Sequence, residues 1–450
     1  MICIFRTCRI HRLKNIIFQM TFHKSFLLFF VVLLCLSCGE DRTYEYEAKT
    51  QHNKWMVETM QQWYLWGDLV TEQEWKSYFA KPADFFARIV KSSGSGDKWS
   101  YCSIDTMRAD HHPRGKFNHL DSYGMDFVLM NDPTGATTRS YARVTSVMKN
   151  SPAEKCGIRR NDFISRINGV NITTKNADGL VKGPQRDIEV CRIGTGTNEG
   201  ELVWTDSKTI QLQQSEYVED HAFAIDTVYV VNGVRIGYVM CNRLLAKTPE
   251  LEGIERSYSE EMDAVFANLK NFRLDELVID LRLCNDGDLD MANKMASYIL
   301  PNEFSGNTFV QTFWNENKTD MNSVVMYDEE IIRNGLQINR VFVITSNYTQ
   351  GAAEWFIQGL RTTMGADNVV LIGMTTAGMN VQCSPIQTEY GFTLYPATCY
   401  VADSDGNYNY GKGIEPDMLV NELEYVELLP YGNMSELLLN MTVDVIMSIR

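Results

Sequence analysis

At 450 residues the chain is long enough for two or three domains. Its 44% apolar and 22% charged composition is that of an ordinary globular protein. Setting aside residues 1–37, which carry five basic and no acidic side chains, leaves 37 basic against 57 acidic groups, a net charge of −20. So acidic a chain repels nucleic acid and anionic lipid surfaces, and no nucleic-acid partner is expected.

The chain opens on an apolar core at 26–36, "FLLFFVVLLCL". It is too short to span a bilayer and has the length of a signal-peptide h-region. Met20 offers a second start, with His23 and Lys24 as the positive flank. The end of the segment, "LCLSCGED", resembles a bacterial lipobox, with Ser37 before the cut and Cys38 as the lipidated N-terminus. Cys35 stands where that pattern has Leu, and an ordinary cleaved signal peptide is the alternative. Either way export is expected. The lipid reading makes the protein an outer-membrane lipoprotein, facing periplasm or surface, that meets the membrane only through its N-terminal lipid. Beyond Cys38 seven cysteines remain, odd in number and without CxxC spacing, so neither a disulfide framework nor a zinc site is implied.

A polar tether is expected over 38–52, then a helical region over 53–106. There Trp55, Met56, Met60, Trp63 and Tyr64 recur at helical spacing and make one apolar face. The loop "ADHHPRGKFNH" brings His111, His112 and His119 together, but Pro113, Gly115 and the lack of carboxylates at ligand spacing favour a solvated loop over a metal site. Residues 120–215 read as β-rich, with "YGMDFVLM" and "YARVTSVMKN" as strands and Ser151 capping a short helix. The string "SPAEKCGI-x-x-ND-x-I-x-x-ING" resembles a bacterial PDZ domain. That resemblance places Tyr123, Gly124, Met125, Asp126 and Phe127 at the carboxylate-binding loop, where such domains take peptide C-termini by strand addition. A PDZ fold serving as a spacer is the alternative.

From 220 to 450 strands and helices alternate: "VYVVNGVRIGYVMC", "SEEMDAVFANLKNF", "ELVIDLRL", "LDMANKMASYIL", "RVFVIT", "AAEWFIQGLRTT" and "NVVLIG". That alternation predicts an α/β core. "SELLLNMTVDVIMSI" closes the chain as a helix with Ser435 as its expected cap.

The order of these parts resembles the tail-specific, or C-terminal-processing, serine protease family over nearly all of 53–450. The residues that carry the resemblance are "WYLWGD", "DKWS", the PDZ string, "IGYVMCN", "ELVIDLR", "VFVITS", "VVLIGMTTAG" and "GIEPD". It implies a crotonase-like, ClpP-like α/β protease core with an inserted PDZ domain and a small N-terminal helical domain. It also implies a Ser-Lys dyad, in which a buried neutral amine takes the serine proton without any histidine. Matching "YTQGAAEW" to the family's serine motif puts Gly351 at the nucleophile and retains Glu354. Matching "TTAGMN" to its lysine motif puts Met379 at the base. No lysine lies between Lys318 and Lys412, and no histidine follows His221. Where the family carries N-P-G-G after the "DLR" strand, this chain reads Cys284-Asn285-Asp286-Gly287, so only Gly287 survives and Asp286 and Asp288 oppose a developing oxyanion.

Ser346, Thr349 and Cys284 are the fallback nucleophiles. Ser346 suits a strand end, Thr349 a turn, and Cys284 has acidic neighbours that raise its pKa. Asp286, Asp288 and Asp290 loosely resemble a calcium loop but lack its closing Glu, so neither metal nor cofactor is expected. The leading expectation is a family member without catalysis that binds peptide or unfolded-protein C-termini through the PDZ groove and an open, apolar cleft. The alternatives are an active endopeptidase with a relocated nucleophile and a structural surface lipoprotein. Oligomeric state is left open.

Overall fold

The computed structural model describes residues 43–103, 120–198, 200–247 and 256–450. The signal segment, Cys38 and the three histidines 111, 112 and 119 lie outside these residues.

Helix α1 (Thr43–Trp63) is followed by α2 (Pro82–Ser93) and β1 (Tyr101–Ser103). The helix thus begins well before position 53, and the polar run over 43–52 is helical rather than a tether. That run holds no Gly or Pro to stop a helix, and the Tyr46 ring packs edge-on against Phe79 at 5.9 Å. Met56, Met60 and Tyr64 are fully buried, against Phe85 and Ile89 of α2 and also against Val381, Phe392 and Leu394 far along the chain. The helical region therefore shares its core with the α/β part.

The next segment holds β2 (Leu120–Ser122), β3 (Met125–Asn131), β4 (Ser140–Val147), α3 (Pro152–Lys155), β5 (Phe163–Ile167) and β6 (Val170–Asn171). After these come β7 (Arg186–Thr195), β8 (Leu202–Leu212) and β9 (Glu216–Val218). The strands order as β3-β4-β5-β7-β8, with β6 on β5 and β2 paired to β9. Ser151 caps α3, its hydroxyl accepting from Glu154 N at 3.1 Å.

The α/β part opens with the hairpin β10 (Phe223–Val231) and β11 (Val234–Cys241), then α4 (Tyr258–Lys270), β12 (Glu276–Asp280) and α5 (Leu289–Ile299). It continues with β13 (Thr308–Trp314), β14 (Ser323–Met326), α6 (Glu329–Asn334), β15 (Val341–Thr345), α7 (Ala352–Met364) and β16 (Val369–Gly373). Last come β17 (Val381–Cys383), β18 (Ile386–Gln387), β19 (Thr393–Tyr395), β20 (Ala397–Ala402), β21 (Met418–Leu419) and α8 (Leu437–Ser448).

Strands β10-β11-β12-β15-β16-β21 form one sheet, parallel except at β10. Alternate side chains feed two cores, as a two-residue period requires. Val239, Ile279, Val343 and Leu371 face α4, α5 and α7, while Tyr238, Val278, Phe342 and Ile372 face α8. A second sheet orders as β14-β13-β20-β17 and a third as β1-β19-β18. The cap of α8 is Glu436, whose carboxylate accepts from Leu439 N at 3.0 Å. Ser435, expected there, lies one residue outside the turn.

A buried ionic network joins the PDZ-like segment to the end of the chain. Arg143 donates to Leu423 O at 2.9 Å and to Tyr425 O at 2.7 Å, and Arg160 pairs with Glu422 at 2.7 Å. Arg282 binds Asp280, Glu422 and Glu436 at once. Burial opposes the ionisation of Glu422, but the guanidiniums of Arg282 and Arg160 prevail and hold its carboxyl down at about 2. A depressed carboxyl contributes stability above its ordinary value of 4.5 and loses it as pH falls towards 2. Glu422→Gln should therefore cost about 3 kcal/mol near neutrality. In urea titrations, the gap between wild type and variant should narrow between pH 5 and pH 2; a constant gap would contradict the assignment.

Candidate functional site

Strand β15 ends at Thr345, and a six-residue turn leads to α7 with Gly351 just before its first residue. Gly351 sits at φ 59°, ψ −118°, a conformation that strains any residue with a side chain. A Cβ placed on it would meet Met379 Sδ at 3.3 Å. The two positions that the sequence motifs assign to nucleophile and base thus lie against each other in space. Neither can do proton chemistry: glycine has no side chain, and a thioether is only a weak acceptor. Met379 is half-buried, and its sulfur takes up the space directly beside Gly351 that the sequence reading leaves open. An unbranched thioether side chain can fill such an irregular gap next to a residue with no side chain of its own.

Met379 is fixed by its main chain. Its N–H donates to Glu354 Oε2 at 2.6 Å, and its carbonyl accepts from Trp355 Nε1 at 3.2 Å. Glu354, on the first turn of α7, is fully buried and collects four donors. Oε2 also accepts from Gly351 N at 3.0 Å, while Oε1 accepts from Gly378 N at 2.7 Å and from the Thr376 hydroxyl. Burial pushes its carboxyl above the ordinary value against these four bonds, which favour the charged form.

The loop after β12 packs against the same helix start. A Cβ on Gly287 would lie 2.7 Å from Ala352 Cβ and 2.6 Å from Leu244 Cβ, so only glycine fits there. Gly287 N, the amide the resemblance offers to an oxyanion, donates to Asp286 Oδ1 at 2.9 Å. Asp286 Oδ2 pairs with Arg243 Nη1 at 3.3 Å, and the fully buried Arg243 also faces Asp220 at 3.4 Å. Asp286 keeps 22% of its side chain exposed. Asp288 does not join it: its carboxylate turns to Ala246 N at 3.2 Å. The expected pair of opposing carboxylates is therefore one, Asp286. Among the described residues no group of three His, Cys, Asp or Glu side chains gathers as a metal site.

The fallback nucleophiles are structural. Ser346 Oγ donates to Arg282 O at 2.6 Å and accepts from Tyr348 N. Thr349, fully buried, donates to Leu281 O at 2.8 Å and accepts from Ser346 N. Cys284 is fully buried, and its thiol is pushed well up by a hydrogen bond with Cys241 and by burial, with Asp286 a lesser cause. The acidic neighbours read from the sequence are thus not the main reason. Sequence reasoning also missed Lys98, whose ammonium crosses to Ala377 O at 3.1 Å. "DKWS" was the signal, but nothing local links it to residue 377. Exposed and spent as a donor, Lys98 is not placed as a base.

At the PDZ-like loop Tyr123, Gly124, Met125, Asp126 and Phe127 are all buried. Tyr123 N donates to Val181 O at 2.9 Å and Gly124 N to Ser122 Oγ at 3.1 Å, so two of the loop amides already have internal partners. Arg186 Nε donates to the Tyr123 hydroxyl at 2.9 Å from the same side. Among the described residues strand β3 pairs only with β4 and so borders its sheet.

With this geometry in view, the family comparisons agree on one class. The model for peptidase family S41 matches residues 235–420, the PDZ domain model 143–192 and the peptidase S41 N-terminal domain model 51–101. The chain belongs to peptidase family S41. It is 27% identical to an S41 protease of known structure from Bacteroides fragilis, with a TM-score of 0.73 over 88% of this chain and 97% of that one. A CtpA-like serine protease of Staphylococcus aureus is 26% identical over 288 residues, 63% of this chain and 51% of that protein. Its counterpart in Staphylococcus epidermidis is 23% identical over 288 residues. The chain thus spans about half the length of the curated relatives it matches.

Two tests follow from the site. Glu354→Ala strands four buried donors and should cost at least about 3 kcal/mol, measured by urea denaturation; a loss under 1 kcal/mol would show the tie to be dispensable. Cys284 should resist iodoacetamide at pH 7.5 in the folded protein and react once urea unfolds it, read by peptide mass mapping.

Proposed function

We propose that this protein is a catalytically inactive member of family S41 that holds extended peptide without cutting it. The observation that carries the reading is the facing pair Gly351 and Met379, with a hydroxyl and an amine absent from the two places that touch. The occupied loop amide at Gly287 and the structural duties of Ser346, Thr349 and Cys284 support it. For peptide holding, the support is a pair of strands that, among the described residues, border their sheets as strand addition needs: β3, paired to β4, and β17, paired to β20 and starting two residues after Met379. The buried loop at 123–127 argues that a peptide on β3 pairs along the strand rather than through loop amides. The N-terminal sequence supports export and lipid attachment at Cys38, and no helix among the described residues is long and apolar enough to cross a membrane.

The test is intact-mass analysis of an unstructured reporter incubated for hours with purified residues 40–450, together with anisotropy of the same peptide. The expected result is unchanged mass with saturable binding. Cleavage that survives repurification, and copurifies with the protein, would falsify the inactive reading. Unchanged mass without binding would favour a structural lipoprotein. Gly351→Ser with Met379→Lys should remain inactive while Asp286 still occupies the Gly287 amide, and adding Asp286→Gly should raise cleavage above that double variant.

A further inference from the structure

We infer that the cleft beside Gly351 takes peptide as an internal or amide-ended stretch and discriminates against a free terminal carboxylate, with Asp286 as the discriminating group. The inference rests on the peptide-holding reading above and adds the class of ligand.

Asp286 is itself an anion bound where an incoming anion would bind. Its Oδ1 takes the Gly287 amide at 2.9 Å, and Gly287 lies against the first residue of α7, the end of a helix that favours negative charge. Its Oδ2 reaches Arg243 at 3.3 Å, but that single buried guanidinium is shared with Asp220. The aspartate is only partly covered, with 22% of its side chain open to solvent. Burial and the charge of Asp286 both push the Tyr395 phenol up, and the Tyr101 ring stacks on Tyr395 at 4.5 Å. A second carboxylate brought here finds the amide taken and meets like charge at short range. A backbone N–H or a terminal amide finds an acceptor instead. Asp126, 4% exposed, is a second acid, at a position that the resemblance to PDZ domains gives to a peptide carboxylate.

The experiment uses one unstructured, fluorescently labelled peptide ending in apolar residues, made as the free acid and as the C-terminal amide. Both are titrated against wild type, Asp286→Asn and Asp286→Glu. The amide should bind wild type at least about tenfold more tightly. Asp286→Asn keeps an acceptor for Gly287 N and removes the charge, so the preference should shrink to about twofold or less, while Asp286→Glu should retain most of it. Thermal unfolding checks that each variant is folded. Equal or tighter binding of the acid by wild type overturns the inference, and so does an unchanged preference in Asp286→Asn, which would place the peptide elsewhere. Binding of neither form overturns the peptide-holding reading and this inference with it.

Discussion

A single buried carboxylate organises the centre of this molecule. Glu354 ties the first turn of α7 to the turn at 376–379 through four donors, three of them main-chain amides. Those amides belong to two chain segments, the residue before the helix and the residues entering β17, which Ala377 N donating to Thr349 O at 2.9 Å and Trp355 Nε1 donating to Met379 O also join. Thr376 extends the tie by accepting from Ile414 N at 2.7 Å, which draws in the loop before β21. The helix start, the methionine and the carboxy-terminal strands therefore hold one geometry whether or not any chemistry takes place there. The shape at this point is therefore held by main-chain amides and one carboxylate, independently of the side chains at positions 351 and 379.

The sequence was most legible where a local pattern has a local cause. Short apolar runs such as "VFVIT" became the strands of the central sheet, and Ser151 capped its helix as its position before Pro152 predicts. That Gly351 and Met379 belong to one place could be read once the motifs were matched, and the two do lie against each other. What could not be read was where side chains turn. Asp286 and Asp288 look equivalent in "NDGDLD", yet one binds the neighbouring amide and the other reaches back to residue 246. Met379 looks like a residue that leaves a cleft apolar and open, but its free torsions let the sulfur settle over Gly351. The expected tether over 38–52 is helical from Thr43 for a related reason. A polar helix held by Tyr46 on Phe79 carries little periodic signal of its own.

Domain labels also describe this protein less well than its cores do. The N-terminal helices bury Met56, Met60 and Tyr64 against strands β17 and β19 of the α/β part, so excising them would uncover one side of the region next to Met379. The PDZ-like segment has its own apolar interior around Ile164, Ile188 and Leu212, and it joins the rest by arginines rather than by a greasy seam. A charged seam needs every partner present, since a buried guanidinium without its carboxylate is costly.

That seam has a consequence for how the chain reaches its final form. Arg143 and Arg160 find their partners at 422–429, across most of the length of the polypeptide. Contacts of such separation are late events, because a long loop must close before they repay its entropy. The PDZ-like segment can gather its own interior early, but its arginines stay solvated until the last tenth of the chain has been made and delivered. The molecule is thus latched from its far end. A ribosome or a translocation channel still holding the C-terminus keeps the latch open, and with it the closing of the central network around Arg282.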